Sequence, residues 1–273
     1  MTSIRNKCVL ITGGASGIGR IMGRVALEKG ARKVIVWDIN QQNIDKTLAE
    51  YAAPERTAGY RVDVADNDAV AAAYARTRSE CGDTDILVNC AGIITGNKTF
   101  DKQSLEEIVR TMEVNALAPM ALCLQVLPDM IARDSGHICN ISSAAGMIAN
   151  PRMSVYAASK WAVVGWSDSV RIELREARSR VRITTIAPYY IGTGMFEGVR
   201  SRLMPILDPE KTARKIIRAI ERERGFRGIP WGFHLIRFVQ GILPTAWFDC
   251  IIGRWCGIYS TMNHFTGRKQ QSL

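Results

Sequence analysis

A short apolar run, Cys8-Val-Leu-Ile-Thr12, leads into a glycine-rich turn, Thr12-Gly-Gly-Ala-Ser-Gly-Ile-Gly19. A helical pattern then runs from Ile18 to Lys29 and stops at Gly30. No other feature of the chain constrains its fold as tightly. Glycines permit a tight turn, let the backbone approach a pyrophosphate, and allow close packing of helix on strand. The helix N-terminus offers free N–H groups and the positive end of the helix dipole, which suits an anion. Such a turn can also serve ordinary chain reversal; its place between strand and helix makes it specific.

The alternation continues along the chain. Val34-Ile-Val-Trp37, Tyr60-Arg-Val-Asp-Val64, Ile86-Leu-Val-Asn89, His137-Ile-Cys-Asn-Ile141 and Val181-Arg-Ile-Thr-Thr-Ile186 read as further strands, with helical stretches between them. Strands separated by helices of roughly 10–15 residues predict βαβ units, hence an α/β, Rossmann-type, doubly wound parallel sheet with helices on both faces. With 273 residues and no linker, one large domain is expected over residues 1–228, followed by an apolar and basic extension over 229–273.

Asp38 closes the second strand 19 residues after Gly19. That is near the spacing expected of a carboxylate that accepts hydrogen bonds from an adenosine ribose and repels a 2′-phosphate. No Arg or Lys follows it directly, so NAD is favoured over NADP. A helix cap or turn role for Asp38 is the plainer alternative.

Further along, Tyr156 and Lys160 sit at i, i+4 in Tyr-Ala-Ala-Ser-Lys, on one face of a helix expected to run through Leu174. A tyrosine is a poor base at neutral pH. A neighbouring ammonium, together with an oxidised nicotinamide ring, would favour the phenolate and lower that pKa, and such a group could take a proton from an alcohol or return it. By itself the spacing is common.

Bulk properties exclude several classes. The seven cysteines form no CxxC pair, which argues against a zinc site and against a disulfide framework, and fits a reducing, cytoplasmic compartment. Neither a signal peptide nor an apolar span of membrane length is expected. The net charge of +10 allows an anionic surface as partner, yet no zinc spacing or aromatic-studded basic strand points to nucleic acid.

Taken together, the motifs resemble the short-chain dehydrogenase/reductase family over roughly residues 5–225. The glycine turn stands at 12–19 and Asn89-Cys-Ala-Gly92 is similar to the family's Asn-Ala-Gly signature, with Cys90 as a departure. Asn115 follows Met-Glu-Val, and Ser143 falls thirteen residues before Tyr156. The resemblance implies Tyr156 as acid/base and Ser143 as the group orienting the substrate oxygen. It implies Lys160 as ribose ligand and activator of Tyr156, and Asn115 as the holder of a water on a proton path. For NAD it implies Gly13, Ser16, Gly17, Ile18 and Gly19 at the pyrophosphate, and Asp38 at the ribose. Asp63 and Val64 would lie at adenine, Asn89, Ala91 and Gly92 along the adenosine, and Ile191 and Thr193 at the carboxamide. Tyr189 and Tyr190 follow Pro188 where the family commonly has Gly, so their rings either shape the substrate site or serve packing.

The extension, rich in Trp, Phe and Ile with Arg237 and Arg254 interspersed, suits a substrate lid or an interfacial element, and equally a packing or oligomer element. It is similar to the family's retinol and hydroxysteroid branch, which often carries an N-terminal membrane anchor not evident here. The expected activity is NAD-dependent interconversion of an apolar alcohol and its carbonyl compound, in a homodimer or homotetramer with peripheral membrane contact left open. A reductase of small polar carbonyls and a non-catalytic nucleotide-binding regulator are the alternatives.

Overall fold

The computed structural model describes residues 1–95, 97–201 and 204–267. Among them, seven parallel strands form one sheet. They are β1 (Cys8–Thr12), β2 (Lys33–Asp38), β3 (Thr57–Arg61), β4 (Ile86–Asn89), β5 (His137–Ile141), β6 (Arg182–Pro188) and β7 (Phe226–Ile229). Their order is β3-β2-β1-β4-β5-β6-β7. The order reverses between β1 and β4, so the loops leaving their C-terminal ends diverge and open a crevice.

The helices are α1 (Gly17–Glu28), α2 (Gln41–Tyr51), α3 (Asn67–Cys81), α4 (Leu105–Met112), α5 (Ala118–Ala132), α6 (Ser154–Glu176), α7 (Pro209–Glu221), α8 (Phe233–Ile242) and α9 (Thr245–Phe248). Alternation along β1 divides the core in two. Val9 and Ile11 pack with Met22 and Val25 of α1, Ile44 of α2, and Ile216 and Ile220 of α7. Cys8 and Leu10 face the other way, onto Val70 of α3, Leu122 and Val126 of α5, and Leu174 of α6. Both sheet faces are covered, which is why the strands read as unbroken apolar runs.

Two strands differ from expectation. The third lies at Thr57–Arg61 rather than 60–64, because its register on β2 runs from Val34↔Thr57 to Asp38↔Arg61. Beyond it the chain turns, with Ala65 N–H donating to Asp63 Oδ1 at 3.0 Å. The seventh, Phe226–Ile229, escapes sequence reading because Phe-Arg-Gly-Ile carries too little apolar pattern.

The helical run Leu105–Ala132, continuous through a π turn at Glu113–Leu117, comes nearer to a membrane span than the sequence reading allows. It is long and apolar enough by length and composition, with a window of mean hydropathy 1.4 that is 50% buried. A core helix meets the same criterion, and α5 contributes Leu122, Val126 and Met130 to the interior.

Beyond β7 the chain turns back across the C-terminal edge of the sheet. Phe233, Ile236, Phe248, Ile258 and Met262 are buried with Tyr156, Tyr189 and Tyr190 in a third apolar cluster. The outer side of this segment leaves Trp231, Leu235, Phe238, Ile242, Trp247 and Trp255 exposed.

At the start of β5, the His137 ring is fully buried and hydrogen-bonded with Thr2 Oγ1 at 3.0 Å and Thr184 Oγ1 at 2.8 Å. Burial pushes its pKa down to about 4. The neutral ring is therefore favoured in the folded state. This stability is fully present above the ordinary histidine value and is lost as the pH falls through about 4. The expected loss is about 3 kcal/mol. Urea unfolding at neutral pH and near pH 4 checks this. A His137→Asn variant with the same pH slope as the wild type would locate the acid sensitivity elsewhere.

Candidate active site

The glycine turn sits at the mouth of the crevice. Gly13 has φ +64°, and a Cβ there would come within 2.9 Å of Ala91 Cα. A Cβ at Gly19 would lie 2.2 Å from the Gly13 carbonyl oxygen, a contact that only movement of the backbone could relieve. The turn is thus as narrow as the sequence pattern implies, and a side chain would fill its concave side. Ser16 precedes α1 in an extended conformation without capping it through its side chain, so the first N–H groups of α1 stay open toward the crevice.

A residue that sequence reading passed over ties this turn to the next one. Thr12 Oγ1 accepts from Cys90 N–H at 3.1 Å and from Ala91 N–H at 3.2 Å. Cys90, Ala91 and Gly92 therefore form the facing wall. Asn89 does not join them. It is buried and donates through Nδ2 to Asn140 Oδ1 at 2.8 Å, bracing β4 against β5 from inside the sheet.

One end of the crevice is lined by Asp38, Asp63 and Val64, with Gly13, Ser16, Ala91 and Gly92. Asp38 accepts from Ala15 N–H at 3.1 Å and from Asn40 N–H at 3.2 Å, so its carboxylate steadies the glycine turn as well as facing the crevice. Arg110, on α4, also lines this end and pairs with Asp63 at 2.8 Å. Nothing in the local sequence marks Arg110, which is brought there by the packing of α4.

At the other end stand Ser143, Tyr156, Lys160, Ile191 and Thr193, in a cleft that also includes Ser16, Gly17, Ile18 and Gly19. The i, i+4 pair lies on α6 with Lys160 Nζ 5.8 Å from the Tyr156 ring centroid. Lys160 Nζ donates to the Ile141 carbonyl at 3.0 Å. Ser143 lies two residues beyond the end of β5 and accepts from Ala145 N–H at 3.2 Å.

Asn115 occupies the π turn, a distortion that often accompanies functional positions. Its Oδ1 accepts from Ile93 N–H at 2.8 Å, and its Nδ2 donates to Ile93 O at 2.9 Å and Ser159 Oγ at 3.1 Å. A Cβ on Gly92 would lie 3.3 Å from Asn115 Oδ1 and 3.5 Å from Lys160 Nζ, so the two side chains converge on one backbone point.

Burial dominates the electrostatics. It pushes the Tyr156 phenol up to about 12, against the opposing hydrogen bond with Ser143. The lowering expected from Lys160 together with an oxidised nicotinamide ring belongs to the dinucleotide-bound site, where it would have to offset this burial. Burial also pushes Lys160 down to about 8. The Cys90 thiol is raised to about 12, so it is neutral at physiological pH.

Tyr189 and Tyr190 are buried and meet edge to face at 4.6 Å. They serve packing and lining together. With Ser143, Ile148, Phe196, Phe233 and Ile258 they line a largely apolar pocket. Phe196 stands between the two spaces, edge-on to Tyr156 at 5.9 Å and to Tyr190 at 5.1 Å.

A family model for short chain dehydrogenases matches residues 7–203. The chain belongs to that family. The dehydrogenase is 35% identical over 276 residues to epidermal retinol dehydrogenase 2 of Mus musculus, covering 99% of this chain and 88% of the relative. It is 30% identical over 264 residues to estradiol 17-beta-dehydrogenase 11 of Pongo abelii, covering 92% and 87%. These relatives place it in the branch of retinol and hydroxysteroid dehydrogenases, oxidoreductases acting on CH–OH groups. The fold is shared with a short chain dehydrogenase/reductase from Burkholderia phymatum in complex with NAD. The TM-score is 0.79 at 23% identity, covering 93% of this chain and 97% of that one.

Proposed function

We propose that this dehydrogenase uses NAD to interconvert an apolar alcohol and its ketone or aldehyde. The observation that carries the reading is the junction of two spaces: the polar-ended cleft and the apolar cavity share Ser143, Tyr189 and Phe196 as walls. A substrate in the cavity would present its oxygen to Ser143 and Tyr156 while its body stays among apolar side chains.

The residues present fit a dinucleotide. The turn at Gly13 and Gly19 is a cradle that a Cβ would fill, and the open start of α1 faces it. Asp38 supplies a carboxylate for the adenosine ribose, and the nearby Arg110 guanidinium is engaged by Asp63 rather than free for a 2′-phosphate. Ala91 and Gly92 border the adenosine, Asp63 and Val64 the adenine, and Ile191 and Thr193 the carboxamide. Bound there, NAD would supply the hydride acceptor or donor for the carbinol carbon.

The chain's own groups handle the rest. Ser143 Oγ holds the substrate oxygen. Tyr156 Oη takes the hydroxyl proton during oxidation or returns it during reduction. Lys160, cationic below about pH 8, holds the ribose hydroxyls and favours the phenolate. Asn115 braces the Ile93 backbone beside Lys160, where a water held by this segment would link Lys160 to solvent.

A panel of steroids, retinoids, long-chain and short alcohols, followed as NADH formation, tests the reading. Apolar alcohols are expected to exceed short ones in kcat/KM by on the order of a hundred-fold. Highest activity on the short alcohols would overturn the apolar assignment, and turnover of none would overturn the catalytic one. The exposed tryptophans of the C-terminal segment suit contact with a lipid surface. The same panel presented in anionic vesicles should then show the protein floating with the lipid.

A further inference from the structure

We propose that the Phe196 ring makes the site selective for primary alcohols, because it leaves room for only a hydrogen at the remaining position of the reacting carbon. The proposal rests on the dehydrogenase reading above and narrows its substrate class from apolar alcohols to apolar primary ones.

Ser143, Tyr189 and Phe196 are the walls that the cleft and the apolar pocket share, so they frame the doorway between the two. With the substrate oxygen on Ser143 and Tyr156, the hydride moves on the cleft side and the apolar body lies on the pocket side. The reacting carbon therefore stands in the doorway itself. Oxygen, hydride and body take up its other bonds, and the remaining substituent points at the walls opposite Ser143. Of these, Phe196 is the one in contact with Tyr156, edge-on at 5.9 Å, and so the one beside the reacting oxygen.

The ring is held in that place from behind. Tyr190 meets it edge-on at 5.1 Å and Phe265 lies behind it at 6.3 Å. Its loop is fastened to the C-terminal segment: Thr266 N–H donates to the Glu197 carbonyl at 2.9 Å, and Arg200 N–H to the Thr261 carbonyl at 3.3 Å. Gly198, at φ +83°, passes so close to the same segment that a Cβ would overlap the His264 carbonyl oxygen. The other wall is equally fixed. Tyr189 is buried, donates through Oη to Ser201 Oγ at 2.8 Å and packs on Phe233 at 5.3 Å. A carbon substituent in the doorway would have to push aside a ring packed on three sides, and overpacking of that kind is costly.

Matched alcohols test the proposal. 1-Decanol is compared with each enantiomer of 2-decanol, as kcat/KM for NADH formation. The wild type is expected to favour 1-decanol over the better enantiomer by roughly 10- to 100-fold, the range that one misplaced methyl group commands in a fitted apolar site. Chemistry alone runs the other way, since a ketone is more stable than the isomeric aldehyde, so such a preference reports the doorway. Phe196→Ala should bring the ratio close to one, Phe196→Leu should place it in between, and Phe196→Tyr, which keeps the ring, should retain most of it. The ratio is internal to each variant, so a general loss of activity cancels. Equal rates in the wild type, a faster secondary alcohol, or a ratio unchanged in both Phe196→Ala and Phe196→Leu would overturn the selectivity. If neither decanol reacts, the same variants are read on retinol against estradiol, with the same outcomes. Highest activity on short alcohols would overturn the apolar reading, and 1-butanol against 2-butanol would then decide the doorway by the same ratio. Failure to oxidise any alcohol would overturn the dehydrogenase reading and the selectivity with it.

Discussion

Tyr156→Phe is expected to lower kcat by roughly a hundred- to ten-thousand-fold, the range associated with loss of a positioned acid/base. Only Oη is removed. The ring keeps its edge contact with Phe196 and its place in the apolar cluster, so folding and dinucleotide binding should change little. Burial holds the phenol near 12, which makes Tyr156 a ready proton donor at neutral pH and a scarce base. Oxidation should therefore accelerate as the pH rises, while reduction stays level until Lys160 loses its proton near 8. Steady-state rates in both directions across pH, with NADH titrations of the variant, check these outcomes. Wild-type turnover in Tyr156→Phe would remove Tyr156 from the chemistry.

Asp38→Ala is expected to lower kcat/KM for NAD by roughly ten- to a hundred-fold, the range that one or two hydrogen bonds to a charged acceptor correspond to. The effect has two sources. The carboxylate is lost from the ribose end of the crevice, and Ala15 N–H loses the partner that steadies the glycine turn. Removal of the negative charge also lifts the repulsion of a 2′-phosphate, so the NAD/NADP ratio should fall further than the NAD activity does alone. Kinetics with both cofactors measure that ratio, and thermal melting separates a loosened turn from a lost ligand. An unchanged ratio would take Asp38 out of cofactor selection.

Much of this was legible in local sequence because the signals are local. The strand, glycine turn and helix at 8–28 depend on neighbouring residues, and the structure keeps them in sequence order. Spacing on α6 put Tyr156 and Lys160 on one face, and Ser143 at the end of β5 joined them in one cleft. Other features depend on partners far along the chain. β7 exists because β6 offers it an open edge from Thr185 to Pro188, not because Phe-Arg-Gly-Ile favours a strand. The limits of β3 follow its register on β2. Thr12 acts through residues 78 and 79 positions away, and Arg110 through one 47 positions away.

The glycine turn that began the reading shows where the division falls. Strand and helix periodicity, glycine placement and short fixed spacings determined the fold class, the glycine turn and the candidate groups Ser143, Tyr156 and Lys160. Each is a property of a few consecutive residues. Only the tertiary structure decided how deeply those groups are buried. It raised the Tyr156 pKa by burial, turned Asn89 into the sheet, and set an apolar pocket beside Ser143. Desolvation and hydrogen-bond completion are sums over everything packed around an atom, and most of those neighbours are distant in the chain.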